Sequence, residues 1–290
     1  MQVVETVKEV RKAVAEARAG GEWIGCVPTM GALHAGHMSL VEDCSERTDF
    51  VVVTIFVNPT QFGPNEDLSK YPRPLEDDLE KCREAGVDLV YTPEVPAMYP
   101  EGFETYVKLE HLPKRLEGEH RPTHFRGVTT IVTKLFNIVQ PDVACFGQKD
   151  YQQQTLIRRM VRDLDMPIEI VVCPTVREAD GLALSSRNIY LSDDERRSAL
   201  SLYASLQLAQ DRIKAGDTDL TGIRQAMLDL MASHSHVTPD YATIADVDSL
   251  ESLDSPVPRM VALVAATVGQ TRLIDNLVID IHSRRRTHGA

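Results

Sequence analysis

The sequence has no hydrophobic run long enough to cross a membrane, which takes about 18 consecutive apolar residues. Its longest candidate, Met260 to Val268, suits a buried strand better. Its start lacks the unbroken apolar stretch of a secretory signal: MQVVETVKEVRKAVAEARAG alternates charge with apolar residues at helical spacing. There is no Cys-x-x-Cys pair. The five cysteines (Cys26, Cys44, Cys82, Cys145, Cys173) are odd in number and far apart. They read as reduced, mostly buried thiols of a cytoplasmic protein, not as a disulfide frame or a zinc site. Basic charge is not in excess, since 31 Lys and Arg against 43 Asp and Glu leave −12. That argues against a general nucleic-acid or membrane-surface binder, both of which want a basic face. Neither G-x-G-x-x-G nor G-x-x-x-x-G-K-[ST] occurs, so a dinucleotide fingerprint and a Walker loop are unsupported. No internal repeat is present.

What remains is an ordinary globular composition, 43% apolar and 26% charged over 290 residues, enough for about two domains. A first helix is expected from Val3, Val7, Val10 and Val14, ending at Gly20-Gly21. Apolar strands then alternate with helices. Strands are expected at Trp23–Pro28, Asp49–Val57, Val87–Tyr91, Pro141–Phe146 and Ile168–Cys173. Helices are expected at Met38–Arg47, Leu75–Ala85, Thr129–Val139 and Tyr151–Asp163. Buried strands alternating with helices imply a parallel sheet with right-handed crossovers, so residues 1–175 read as a Rossmann-like, doubly wound α/β domain. The pattern then changes to two helices, Ser192–Gly216 and Leu220–Ser233, and strands at Tyr241–Val247, Arg259–Val268 and Arg272–Ile281. Gly269-Gln270-Thr271 reads as a hairpin turn. Residues 176–282 are therefore a smaller C-terminal α+β domain, and the basic tail 283–290 is expected to be disordered.

The chemistry centres on Pro28-Thr-Met-Gly-Ala-Leu-His-Ala-Gly-His37. This segment follows a strand, where open α/β sheets bind ligands. It leads into a helix N-terminus, whose free N–H groups and dipole favour phosphate. Gly31 and Gly36 let backbone and ligand approach closely, and His34 and His37 are spaced to point at one site.

His34-Ala-Gly-His37 matches the HxGH signature of the nucleotidyltransferase superfamily, and the longer string PTMGALHAGH resembles the pantoate–β-alanine ligase family. Further blocks agree in order: Phe56-Val-Asn-Pro-Thr-Gln-Phe62, Tyr71-Pro-Arg73, Thr123-His-Phe-Arg-Gly-Val128, Phe146-Gly-Gln-Lys-Asp-Tyr-Gln152 and Leu184-Ser-Ser-Arg-Asn188. The resemblance runs over roughly residues 1 to 282. It implies ATP-dependent condensation of pantoate with β-alanine through a pantoyl-adenylate, with release of pyrophosphate and then AMP. It also implies Mg2+ accompanying ATP and a homodimer. Because Leu184 to Arg187 sits just past the domain boundary while His34, His37 and Lys149 lie before it, the C-terminal domain is expected to act as a lid.

The resemblance further implies roles for individual residues. Met30, Gly31, Ala32, Leu33, His34, Ala35, Gly36 and His37 would contact ATP, with a cationic His37 as proton donor and His34 beside it. Gly147, Gln148, Lys149 and Asp150 would hold the nucleotide on the same rim, and Val176 would contact the adenine. Leu184, Ser185, Ser186 and Arg187 would form a mobile second ATP segment, with Lys149 and Arg187 as cationic clamps on the phosphates. Gln61 and Gln154 would bind pantoate, and Gln61 also β-alanine; a neutral amide offers donor and acceptor without adding charge. Asp77 and Asp78 match a metal-associated position, yet they also lie in an acidic helix start, Glu76-Asp-Asp78, where carboxylates complement the dipole. His111, His234 and His236 have no role in the family and read as surface residues. HxGH alone also fits a nucleotidyltransferase that leaves the nucleotide on its product; FVNPTQF and FGQKDYQQ favour the ligase. An RNA-binding relative without chemistry is disfavoured by the acidic charge and the lack of a basic, aromatic-studded segment.

Overall fold

The computed structural model describes residues 1–281 except Pro64, Asn65 and Asp67. The tail expected to be disordered lies outside the described residues. Two compact units divide the chain, Met1–Val176 and the remainder from Arg177. Among the described residues no helix is long and apolar enough to cross a membrane.

The first unit is built on a parallel sheet. Its strands are β1 (Gln2–Val4), β2 (Ile24–Thr29), β3 (Phe50–Ile55), β4 (Leu89–Tyr91), β5 (Val143–Gly147) and β6 (Glu169–Cys173). Their order is β1-β4-β3-β2-β5-β6, with every neighbour parallel. The helices between them are α1 (Val7–Ala19), α2 (Ala35–Ser45), α3 (Leu75–Glu84), the short α4 (Val95–Met98) and α5 (Glu117–His120), α6 (His124–Val139) and α7 (Tyr151–Asp163). From β2 the chain steps outward to β3 and β4, then crosses back and continues from β5 to β6. The direction of winding therefore reverses between β2 and β5, which pair through Gly25↔Val143 and Cys26↔Ala144. In such sheets the crevice beyond the strand ends at this reversal is where ligands bind.

One face of the sheet packs Val27, Val51, Val53, Val90, Val143 and Cys145 against Leu40, Val41 and Cys44 of α2 and Leu79 and Cys82 of α3. The approach of α2 depends on Gly25, where a Cβ would lie 2.4 Å from both Cys44 Sγ and Thr48 Oγ1. All five cysteines are free and buried, as expected of reduced core thiols.

The second unit has α8 (Asp193–Lys214), α9 (Leu220–Ala232), and an antiparallel sheet of β7 (Val237–Asp246), β8 (Arg259–Val268) and β9 (Thr271–Asp280) in that order. Its core sets Leu202, Leu206 and Ile213 of α8 and Ile223, Met227 and Met231 of α9 against Met260, Val264 and Val268 of β8. The hairpin expected at Gly269 joins β8 to β9, with Gly269 in the left-handed region at φ +60°.

Several boundaries differ from the pattern reading, each for a local reason. Val3 belongs to β1, an edge strand on β4, because the helix cannot begin before its cap: Thr6 Oγ1 accepts from Glu9 N (3.3 Å) and Glu9 Oε2 from Thr6 N (3.1 Å). Helix α6 starts at His124, well before the apolar period becomes visible at Thr129. Its threonines fit a helix because their hydroxyls bond back one turn, Thr129 to Phe125 O (2.8 Å) and Thr130 to Arg126 O (2.6 Å). Strand β7 begins at Val237, before Pro239, and a bulge between Pro239 and Tyr241 absorbs the proline.

Candidate functional site

The loop after β2 turns through two consecutive left-handed residues, Gly31 (φ +81°) and Ala32 (φ +52°). A Cβ on Gly31 would lie 2.9 Å from Asp78 Oδ2 and 3.1 Å from Ile55 Cγ2, so only glycine fits there. Asp78, 1% exposed on the first turn of α3, receives the N–H of Ala32 on Oδ2 (2.8 Å) and of Leu33 on Oδ1 (2.7 Å). One helical turn on, Lys81 Nζ donates to Leu33 O (2.7 Å). Gly31 N donates to Thr29 Oγ1 (3.2 Å).

The two histidines then cap α2 reciprocally. Gly36 N donates to His34 Nδ1 (3.1 Å), and His34 N donates to His37 Nδ1 (3.3 Å). H-x-x-H here has the spacing of a capping box, with imidazoles in place of hydroxyl and carboxylate. An Nδ1 that accepts from a backbone N–H carries no proton, so the proton of each neutral ring sits on Nε2. The rings lie 4.2 Å apart between centroids. Burial first, then repulsion between like charges were both imidazoles protonated, then the cations Lys149 and Lys81, push the His37 pKa from 6.5 down to about 3. His34 is lowered by burial and Lys149, with Asp150 acting the other way.

One expectation is corrected here. The helix N-terminus does not offer its N–H groups of Gly36 and His37 freely to phosphate: the first is held by His34 Nδ1 and the second by His34 O (2.8 Å). Burial favours the neutral imidazole of His37 in the ligand-free protein. What this segment presents is a pair of Nε2–H donors.

The loop after β5, Gly147 to Asp150, leaves the strand next to β2. Gln148 N donates to Cys173 O at the end of β6 (2.8 Å), which ties this loop to the strand leading to Val176. A Cβ on Gly147 would meet nothing within 4 Å, so the protein's own packing does not demand glycine there. Lys149 is near enough to both histidines to lower their pKa values. The structure thus gathers His34, His37, Lys149 and Asp150 on one rim of the first unit, at the reversal of the sheet.

The 3-10 turn Pro59–Gln61 after β3 carries Gln61. Asn58, 1% exposed, is its hub. Asn58 Oδ1 accepts from Tyr99 OH (2.8 Å) and Thr60 Oγ1 (3.0 Å), while Nδ2 donates to Gln61 Oε1 (2.9 Å) and Gly127 O (3.2 Å). With Oε1 taken by Asn58, the Nε2 donor is the half of the Gln61 amide left to offer. Arg121 Nη2 donates to the Gln61 backbone carbonyl (3.2 Å), and His124 Nδ1 lies 2.9 Å from it. Arg121 Nη1 sits 3.3 Å from His124 Nε2, and since guanidinium only donates, Nδ1 bears the His124 proton. Burial and Arg121 push the His124 pKa down to about 4. Helix α6 comes this close because Gly127 has no side chain: a Cβ would lie 2.3 Å from Thr60 O.

Gln154 on α7 is the counterpart. Thr155 Oγ1 donates to Tyr151 O (2.8 Å), so it accepts from Gln154 Nε2 (3.0 Å). Gln154 Oε1, buried, has no hydrogen-bond partner among the described residues. One glutamine therefore offers a donor and the other an acceptor whose burial is uncompensated without a ligand.

Leu184, Ser185, Ser186 and Arg187 lie in the second unit. There Ser185 Oγ accepts from Arg187 N (3.3 Å) and caps the 3-10 turn Ser186–Tyr190. Arg177 anchors the segment before it, donating to Asp275 (2.6 and 2.9 Å) and to Gly181 O (3.1 Å). Asp78 is engaged within the protein. Both oxygens of Asp78 are held by backbone N–H groups, and among the described residues no three His, Cys, Asp or Glu side chains gather as ligands.

Pattern reading missed Asn58, Tyr99, Arg121, His124 and Lys81. Asn58 had a signal, as an N-cap residue before Pro; His124 lay in a quoted block without a stated task.

The family model described as Pantoate-beta-alanine ligase matches residues 2–278. The pantothenate synthetase of Moorella thermoacetica is 54% identical over 282 residues, 97% of this chain and 100% of that one. That of Acetivibrio thermocellus is 50% identical over 281 residues, again 97% and 100%. The crystal structure of pantothenate synthetase from Thermus thermophilus superposes with a TM-score of 0.91 at 46% identity, covering 96% of this chain and 99% of that one. The pantoate-beta-alanine ligase of Francisella tularensis, complexed with beta-gamma ATP and beta-alanine, has a TM-score of 0.79 at 33% identity, with 96% and 97% covered.

The geometry makes a pH prediction. The fold holds His37 at about 3 against an ordinary 6.5, so between those values the unfolded chain binds more protons. The contribution is complete above pH 6.5 and is lost as pH falls towards 3. Replacing His37 with Asn should reduce the slope of unfolding free energy against pH in that window, measured by denaturant titration. Equal slopes in the two proteins would place the His37 pKa near its ordinary value.

Proposed function

Since the chain belongs to the pantoate-beta-alanine ligase family, we propose that its ligation of pantoate to β-alanine runs on the rim between β2 and β5. The protein is an ATP-using ligase. A pantoate carboxylate oxygen attacks the α-phosphorus of ATP, the bond to the bridging oxygen breaks and pyrophosphate leaves. The β-alanine nitrogen then attacks the acyl carbon, the bond from that carbon to the AMP oxygen breaks, AMP leaves and the amine gives up a proton. The protein forms no covalent bond in this scheme, so its contribution is positioning and stabilisation of phosphate charge.

The observation that carries the reading is the pair of imidazole Nε2–H donors beside Lys149 at the reversal of the sheet. We assign His34 and His37 as hydrogen-bond donors to the phosphates and Lys149 as the cation that follows charge onto pyrophosphate. The bound polyanion itself would raise the His37 pKa. The open space at Gly147 suits close approach of the nucleotide. Met30 to His37, Gly147 to Asp150 and Val176 as ATP contacts, and Leu184, Ser185, Ser186 and Arg187 with them, rest on the resemblance. Pantoate is a hydroxy acid, which suits the Gln61 donor and the Gln154 acceptor. Mg2+ is proposed to enter with ATP, whose phosphates are its main ligands. The resemblance also supports a homodimer.

An assay that omits one component at a time tests the scheme. ATP and pantoate without β-alanine should support exchange of labelled pyrophosphate into ATP with little free AMP. Exchange that requires the amine would argue for a concerted route, and a nucleotidylated final product for the other chemistry of the superfamily.

A second expectation concerns Gln154. An analogue of pantoate lacking a hydroxyl would leave the buried Oε1 unpaired, at a cost of about 1–3 kcal/mol, roughly tenfold to a hundredfold in kcat/KM. Gln154→Ala should blunt that discrimination while the KM for ATP stays close to wild type. An unchanged ratio of kcat/KM for the two acids would remove Gln154 from hydroxyl recognition.

A further inference from the structure

We propose that Asp78 is a positioning residue for adenylate formation, the anionic latch that shapes the β2–α2 loop, and not a metal ligand. The inference rests on the proposed role of this loop in presenting the phosphate-binding histidines.

Consecutive N–H groups around a left-handed turn converge into a concavity that attracts an anion. In this loop the concavity is filled from within. Gly31 and Ala32 have positive φ, and the N–H groups of Ala32 and Leu33 converge on the two oxygens of one buried carboxylate, at 2.8 and 2.7 Å. An ordinary alanine at φ +52° is strained, and the paired charge-assisted bonds offset that strain. Leu33 is gripped from both sides, its N–H by Asp78 and its C=O by Lys81 Nζ (2.7 Å), with the two side chains one turn apart on α3. The residue after Leu33 is His34, whose backbone N–H fixes the tautomer of His37 and whose ring caps Gly36. The latch therefore sets where the chain enters α2, and through that entry the direction of both Nε2–H donors. Filling the concavity also denies it to a phosphate, so an incoming triphosphate meets the imidazoles instead of the loop backbone.

Two independent perturbations test this in the full-length enzyme. Asp78→Asn keeps the shape and puts an NH2 group where one of the two acceptors stood. Gly31→Ala presses a Cβ 2.9 Å from Asp78 Oδ2 from the loop side. Each variant is expected to slow pyrophosphate release from ATP and pantoate by roughly ten- to a hundredfold, the scale of a displaced catalytic group. The reaction of supplied pantoyl-adenylate with β-alanine should stay within about twofold of wild type, as should the KM for pantoate. In 1H–15N spectra of ligand-free Asp78→Asn, the Ala32 and Leu33 amide protons should move upfield. That readout does not depend on turnover.

Rescue of Asp78→Asn by raised Mg2+ would show a metal ligand and overturn the proposal. Equal loss in both half-reactions, or unmoved Ala32 and Leu33 amides, would overturn it as well. The wild-type control separates the two claims: a wild type that forms no pyrophosphate with pantoate defeats the functional reading, whatever Asp78 does.

Discussion

Between β2 and the first turn of α2 the backbone N–H groups need partners, and five of them find a side-chain partner within the protein. Gly31 gives its N–H to Thr29, Ala32 and Leu33 give theirs to Asp78, and His34 and Gly36 give theirs to imidazole nitrogens. A buried unpaired N–H costs about 1–3 kcal/mol, so these bonds are mutually required by the conformation and leave it little freedom. The consequence is chemical. Each imidazole accepts on Nδ1 from the N-terminal region of the helix and presents Nε2–H on its far side. The positive end of α2 is in effect extended through two aromatic rings, which the proposed function turns toward phosphate.

The rest of the first unit is arranged around that loop. The sheet reverses between β2 and β5, which brings Lys149 to the histidines. On the outward step to β3, the Asn58 hub fixes the orientation of the Gln61 amide, and Gly127 lets α6 lie directly on the turn that carries it. On the step to β6, Thr155 fixes the orientation of the Gln154 amide. An amide placed in the wrong orientation would exchange donor for acceptor, so these neighbours determine what each glutamine offers a hydroxy acid. In the proposed assignment, neutral groups read the acid while the cation and the N–H donors meet the phosphates. That division suits a reaction in which negative charge accumulates at one end only.

Much of this was legible in the sequence. The apolar runs pointed to the parallel sheet, and Tyr151–Asp163 and Arg259–Val268 keep their expected bounds. The histidine loop was visible because its glycines and its i, i+3 histidines sit between a strand and a helix. Position on the chain could not reveal direction of hydrogen bonding. Asp78 in an acidic helix start has the same letters whether it faces solvent, a cation or a loop, and only burial against Ala32 and Leu33 decides. His124 was quoted without a task because its contact with the Gln61 carbonyl joins a helix start to a turn distant in the chain. A cationic His37 came from the family resemblance, and sequence position could not show that burial beside Lys149 and Lys81 favours the neutral ring in the ligand-free protein.

The central claim is that the two imidazoles are neutral Nε2–H donors held by the backbone, and it can be measured directly. Long-range 1H–15N correlation spectra of ligand-free protein labelled with 15N-histidine report the protonation of each ring nitrogen. The account predicts that His34 and His37 both show an unprotonated Nδ1 and a protonated Nε2 at pH 7, and that His37 keeps this pattern at pH 5. A His37 ring protonated on both nitrogens at pH 5, or a proton on Nδ1 of either ring at pH 7, would contradict it.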